Sequence, residues 1–199
     1  MNKDEITKFL DSYNSRREKT IVIIDYSNVE KWKANLGWRV GISELSKLIR
    51  HFSTGSKFLR RFYYGSDYGP HEQSVKLTIW SNKILELARM YHLDVVTKRV
   101  KYIHRQNGLN GYEKKCDLDV EMAVDLVREK DNYDTAIVFS GDGDLVYAMK
   151  YLHEKFNKQF IVFGARGHTG KEVQDGFKEG VIERIFYADD FEYRLNMDR

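Results

Sequence analysis

Hydrophobic positions along the chain follow two periods. Near the N-terminus Ile6, Phe9, Leu10 and Tyr13 fall on one helical face, which predicts a helix over residues 3–18. Short apolar runs then recur and read as strands: Thr20–Asp25, Phe58–Gly65, Val95–Tyr102, Thr135–Ser140, Gln159–Gly164 and Arg184–Ala188. Between them the spacing predicts helices at 42–53, 73–92, 117–131, 144–156 and 170–180. The runs TIVII (from Thr20) and TAIVF (from Thr135) are apolar on both faces. That suits parallel strands covered by helices on each side. The expected fold is α/β, a three-layer α/β/α arrangement with a mostly parallel sheet of five or six strands.

A chain of 199 residues fits one domain. No repeat or low-complexity tract divides it, and Pro70 is its single proline. The expected division is a helical appendage at residues 1–18 and a domain at 19–199. With 42% hydrophobic and 32% charged residues, the composition is globular rather than disordered. The longest aliphatic run, Ile21–Ile24, is far short of the ~20 residues that span a bilayer. The opening MNKDEITKFLD carries acids where an export signal carries an apolar core. Cys116, alone, makes neither an internal disulfide nor a thiolate zinc site. A cytoplasmic location without membrane partners is expected. The N-terminal helix leaves two uses open, capping its own domain or pairing with a second copy as a homodimer.

Net charge is only +3, too small to mark a nucleic-acid-coating protein. Its distribution says more. From Lys98 to Lys115 six basic side chains (Lys98, Arg99, Lys101, Arg105, Lys114, Lys115) face one acid, Glu113. From Asp117 to Asp144 nine acids face only Arg128 and Lys130.

In a parallel α/β sheet, ligands sit beyond the carboxyl ends of the strands, near a topological switch point. Asp25 ends the first strand, and Asn28 follows three residues later. After TAIVFS comes GDGD, with Asp142 and Asp144 in one glycine-flanked turn. One aspartate there is explained by capping or turn chemistry, but a cap uses only one. On the helix near Asp117, a 100° step groups Leu118, Val120, Met122, Ala123, Leu126 and Val127 into an apolar arc. Asp119 falls within that arc and Asp125 at its edge, with Asp117, Glu121 and Arg128 on the opposite side. An inward carboxylate costs several kcal/mol unless something pairs with it.

Asp25, Asp119, Asp142 and Asp144 all belong to one rim of such a sheet. Two carboxylates about 4 Å apart repel by ~4 kcal/mol at an effective dielectric near 20. A cation resolves that repulsion, and an all-oxygen donor set points to Mg²⁺ or Mn²⁺ rather than zinc.

Three other motifs fail on inspection. Gly141–Val146 starts like a dinucleotide fingerprint but lacks its third glycine, and its acids would repel a pyrophosphate. Ala165–Glu172 ends in Gly-Lys like a P-loop without the first glycine or the Ser/Thr. An aspartate-nucleophile phosphatase needs a second Asp where Ser27 stands. The six histidines show no metal spacing.

The order Asp25-Tyr-Ser-Asn28, then Lys114-Lys115 before Asp119-Val-Glu-Met-Ala-Val-Asp125, then Ser140-Gly-Asp-Gly-Asp144, then Ala188-Asp-Asp-Phe191 resembles the NYN domain. Its LabA-like branch, within the PIN-like nucleases, is the most similar. The resemblance runs from about Thr20 to Phe191 and implies a divalent-metal ribonuclease site in a parallel α/β/α fold. It assigns Asp25 as the ligand ending the first strand and Asn28 as the asparagine of its motif. Asp119 matches the acid opening the central helix, Asp125 the acid six residues on, and Asp142 with Asp144 the paired acids. Leu145 stands where the family usually has Phe, and Asp117 is an additional acid.

The resemblance implies hydrolysis of RNA phosphodiesters to 5′-phosphate and 3′-hydroxyl ends, with Mg²⁺ or Mn²⁺ held by Asp25, Asp119 and Asp142. Asp144 or Asp125 would complete the shell, and Asn28 and Ser140 would orient carboxylates or phosphate. Candidate phosphate contacts are Lys98, Arg99, Lys101, Arg105, Lys114 and Lys115, with Arg166, His168 and Lys171 as a second set. Trp32 and Trp38 are candidates to stack unpaired bases of single-stranded or structured RNA. Tyr63 and Tyr64, within a strand, suit core packing better. Two other classes fit the same residues: a catalytically silent RNA- or protein-binding module, and a metal-dependent phosphatase or nucleotidase.

Overall fold

The computed structural model describes residues 3–15, 19–52, 58–71, 74–104 and 112–198. The chain begins with α1 (Lys3–Ser15), β1 (Thr20–Asp25), the short α2 (Tyr26–Lys31) and α3 (Lys33–Leu36), and α4 (Ile42–Ile49). There follow β2 (Phe58–Ser66), α5 (Ile79–Met90), β3 (Asp94–Arg99), and a polar pair, β4 (Lys101–His104) and β5 (Tyr112–Lys115). The second half holds α6 (Asp119–Arg128), β6 (Thr135–Phe139), α7 (Val146–Phe156), β7 (Gln159–Gly164), α8 (Lys171–Lys178), β8 (Ile182–Tyr187) and α9 (Glu192–Leu195).

Six strands form one sheet in the order β3-β2-β1-β6-β7-β8, every neighbouring pair parallel. The expected α/β/α sheet is therefore present with its upper strand count. The first three strands step outward from β1 in one direction and the last three from β6 in the other. The switch point lies between β1 and β6, whose residues are buried throughout.

Alternation along these strands feeds two separate cores. Val22, Ile24, Ile137, Phe139, Ile161 and Phe163 face one side and pack with α1, α4, α5 and α9. Ile21, Ile23, Ala136, Val138, Phe160 and Val162 face the other, under Met122, Leu126, Met149, Leu152 and Val173 of α6, α7 and α8. In α1, Ile6, Leu10 and Tyr13 are buried in the first core, each contributing about 1.5–3 kcal/mol. Phe9 packs edge-on against Phe186, and the Tyr13 hydroxyl lies 2.6 Å from Thr20 Oγ1. The helix thus caps its own sheet.

Several boundaries differ from the sequence pattern for local reasons. The Val95–Tyr102 run divides at Val100, whose N–H makes the last bond to β2 at Ser66 O. Beyond it the chain turns away, and β4 pairs antiparallel with β5. The helix expected at 73–92 starts at Ile79, where Thr78 Oγ1 accepts the Ser81 N–H. On α6 the apolar arc is narrower than the wheel suggests: Val120 and Val127 are exposed, and only Met122, Asp125 and Leu126 are buried.

Candidate metal centre

The carboxyl ends of β1 and β6 meet at the switch point and are tied by side chains. Asp25 caps α2, its Oδ1 accepting the Asn28 N–H at 3.0 Å. Asn28 Oδ1 in turn accepts from Trp32 Nε1 at 2.9 Å and from the Gly141 N–H at 3.1 Å. Ser140 Oγ donates to Asp25 Oδ2 at 3.3 Å and accepts the Asp142 N–H at 3.1 Å. Asp142 Oδ1 accepts the Asp144 N–H at 3.2 Å. Gly141 is required by close approach: a Cβ there would lie 2.2 Å from the His168 carbonyl oxygen.

The third contribution comes from the first turn of α6. Asp117 Oδ1 accepts the Asp119 N–H at 3.0 Å, so the additional acid bonds the first residue of the helix. Asp119 is then carried toward the β6 turn. One carboxylate oxygen each from Asp119, Asp142 and Asp144 lies within 4.8 Å of the others. Asp25 is outside that set of three but lines the same pocket of about 260 Å³, with Asn28, Asp117 and three lysines, Lys31, Lys114 and Lys115.

The electrostatics follow from this crowding. Burial pushes the Asp25 carboxyl up to about 6, and Asp142 adds to the rise against the hydrogen bonds from Asn28 and Ser140 and the charge of Lys31. Asp119 rises to about 7, first through burial, then through its hydrogen bond with Asp117 and the charges of Asp117, Asp142 and Asp25. Asp117 moves the opposite way, held below the usual carboxylate range mainly by the Asp119 N–H. Both raised carboxyls hold a proton more readily than a free aspartate, and a divalent cation would act against that rise. Three carboxylates offering only oxygen suit a hard cation of the Mg²⁺ or Mn²⁺ kind.

Asp125 does not join them. It is buried and bound by Arg61 Nη1 at 2.7 Å, the Tyr63 hydroxyl at 2.7 Å, and Arg128. Six residues along a helix is about 9 Å of rise, so Asp119 and Asp125 serve different ends of α6.

The basic residues also divide. Lys114 and Lys115 line the pocket, although Lys114 Nζ bonds Asp67 Oδ2 at 2.8 Å. Lys98 reaches Glu121 Oε1 and the Asp117 carbonyl, and Arg99 bonds the Ser74 carbonyl. Lys101 is exposed on β4, while Arg105 lies outside the described residues. Arg166 is engaged by Asp190 and packs over the Tyr187 ring, and Lys171 is exposed at the start of α8. His168 contributes its backbone at Gly141. Trp32 is fully buried with its Nε1–H on Asn28, which excludes it as a stacking platform. Trp38 packs against the core, and Tyr63 and Tyr64 lie within it. Lys31, missing from the sequence reading, reaches the pocket from the end of α2.

The NYN domain family model matches residues 19–183 of the 199, from the start of β1 into β8. The chain belongs to the NYN domain family. NYN domains are PIN-like, nuclease-type domains that act on nucleic acid. The Low amplitude and bright protein LabA of Synechococcus elongatus is 36% identical over 81 residues. That match covers 41% of this chain and 43% of LabA, less than half of either. A crystal structure of a protein of unknown function from Vibrio parahaemolyticus superposes with a TM-score of 0.64 at 19% identity, covering 87% of this chain and 94% of that one. It shares the fold. Among the described residues no helix of this NYN protein is long and apolar enough to cross a membrane.

Proposed function

We propose that this NYN domain hydrolyses RNA phosphodiester bonds at the Asp119–Asp142–Asp144 cluster, with Mg²⁺ or Mn²⁺ held there. The observation that carries the reading is the convergence of those three carboxylates at the β1/β6 switch point, within a family of PIN-like nucleases. Asp142 and Asp144 would hold the cation from the β6 turn, and Asp119 from α6. When bound, the cation supplies positive charge to the phosphate and acidifies attacking water.

The chain's own residues do the rest. Asp25, fixed by the Asn28 N–H and the Ser140 hydroxyl, is oriented to accept a proton or a hydrogen bond at the pocket wall. Lys31, Lys114 and Lys115 supply positive charge on the same rim, where a phosphate backbone would pass. Asn28 and Ser140 keep the two acid-bearing turns in register. The test is cleavage of labelled RNA that requires the divalent cation and stops in the Asp142→Asn variant.

A further inference from the structure

A second pocket opens directly beside the acid cluster. It encloses about 370 Å³ and shares Ser27, Lys31, Lys114 and Cys116 with the acid-lined pocket, so the two adjoin. Tyr64, Gly65, Val100 and Trp80 line it together with the carboxylates of Glu30, which takes the Trp80 N–H, and Asp67, which takes Lys114 Nζ. Trp80 projects from the first turn of α5 and is 44% exposed. Its Nε1–H is already used, donating to Glu30 Oε1 at 3.0 Å. That bond fixes the indole plane and leaves the ring without a donor to offer a ligand.

We propose that this pocket receives a nucleobase of the strand being cut, stacked on Trp80, while Lys31 and Lys114 at the shared rim contact the adjoining phosphate. The proposal rests on the nuclease reading of the neighbouring acids. A half-exposed indole with its N–H satisfied internally recognises a flat ring through stacking, which every base provides. The two lysines at the junction fit the anionic link between that base and the acid cluster. The site would therefore hold unpaired nucleotides with little preference among bases, because a paired base has no free face to enter the pocket.

The direct test compares adenosine 5′-monophosphate with ribose 5-phosphate as ligands, with Mg²⁺ present, using tryptophan fluorescence and calorimetry. Neither ligand contains a bond for the nuclease to cut. Stacking should make the nucleotide bind about tenfold tighter than the sugar phosphate. Trp80→Ala should bring that ratio close to one, and Trp80→Phe should restore most of it. All three proteins should keep the same Mn²⁺-induced rise in melting temperature. Equal binding of the two ligands by the wild type, or a ratio unchanged in Trp80→Ala, would overturn the proposal. Failure of the nuclease reading would register separately, as uncut RNA or no Mn²⁺-induced rise.

Discussion

Asn28 Oδ1 accepts the Gly141 N–H at 3.1 Å, so one side-chain oxygen couples the turn after β1 to the turn after β6. The same atom accepts Trp32 Nε1–H, and both donors are buried. Asn28→Ala removes both acceptor contacts at once. Each buried donor left without a partner costs about 1–3 kcal/mol. Denaturant unfolding should show a loss of about 2–4 kcal/mol, together with a weaker Mn²⁺-induced rise in melting temperature. An unchanged midpoint would mean that the two turns are held by something else.

The raised carboxyls at the site set a pH dependence. Asp25 near 6 and Asp119 near 7 hold their protons more tightly in the folded chain than at the usual value of 3.8. The folded state therefore binds more protons than the unfolded state between those values, and stability falls as pH rises. In EDTA, these groups should lower the melting temperature from about pH 4 to about pH 7. The gain from Mn²⁺ should grow over the same window, because the ligands must lose their protons to bind it. Asp119→Asn should flatten both trends. A Mn²⁺ gain as large in this variant as in the wild type would remove Asp119 from the centre.

Asp125 separates structural acids from those at the site. Asp125→Ala strips a buried partner from Arg61, which keeps Glu129 at 2.6 Å. The cost should lie near the lower end of the ~3–5 kcal/mol typical of a broken buried pair. The remaining folded protein should still gain melting temperature from Mn²⁺. Loss of that gain without loss of intrinsic stability would reverse the assignment.

Lys114 and Lys115 line the acid pocket from β5, and both are exposed. The Lys114→Gln, Lys115→Gln double variant should bind single-stranded RNA more weakly. Its slope of log affinity against log salt should be shallower by up to about 1.4, from ~0.7 per phosphate contact on single strands. An unchanged slope would place the RNA backbone elsewhere.

The central strands and three of the acids were legible for the same physical reason. Strands β1 and β6 are buried on both faces, so their sequence is apolar without interruption and the acids that follow stand out. Asp119 was marked by an apolar arc that had no use for a charge, and Asp142 and Asp144 by sharing one turn. Lys31 was hidden because α2 is only six residues long, too short to carry a periodic signal. β5 was hidden because all four of its residues are exposed and polar or amphipathic. Trp32 could not be separated from a surface tryptophan in advance. Its burial comes from packing in the first core, with residues far away in sequence, while its Nε1–H is met by Asn28. Trp80 carries no signal in the spacing, because it lies in the first turn of α5, which starts at Ile79, and is half exposed. For Asp125 the family position and the edge of the apolar arc do not disclose which side chains meet it. The bonds from Arg61 on β2 that hold it depend on a strand far away in sequence.

The measurement that bears most directly on the account is cleavage of an end-labelled RNA carrying both single-stranded and hairpin regions. It should be run with Mg²⁺ or Mn²⁺, with EDTA, and with Asp142→Asn. The account predicts metal-dependent cuts in the unpaired segments that disappear with EDTA and in the variant. RNA left intact yet bound equally by the wild type and by Asp142→Asn would contradict it and indicate a binding module.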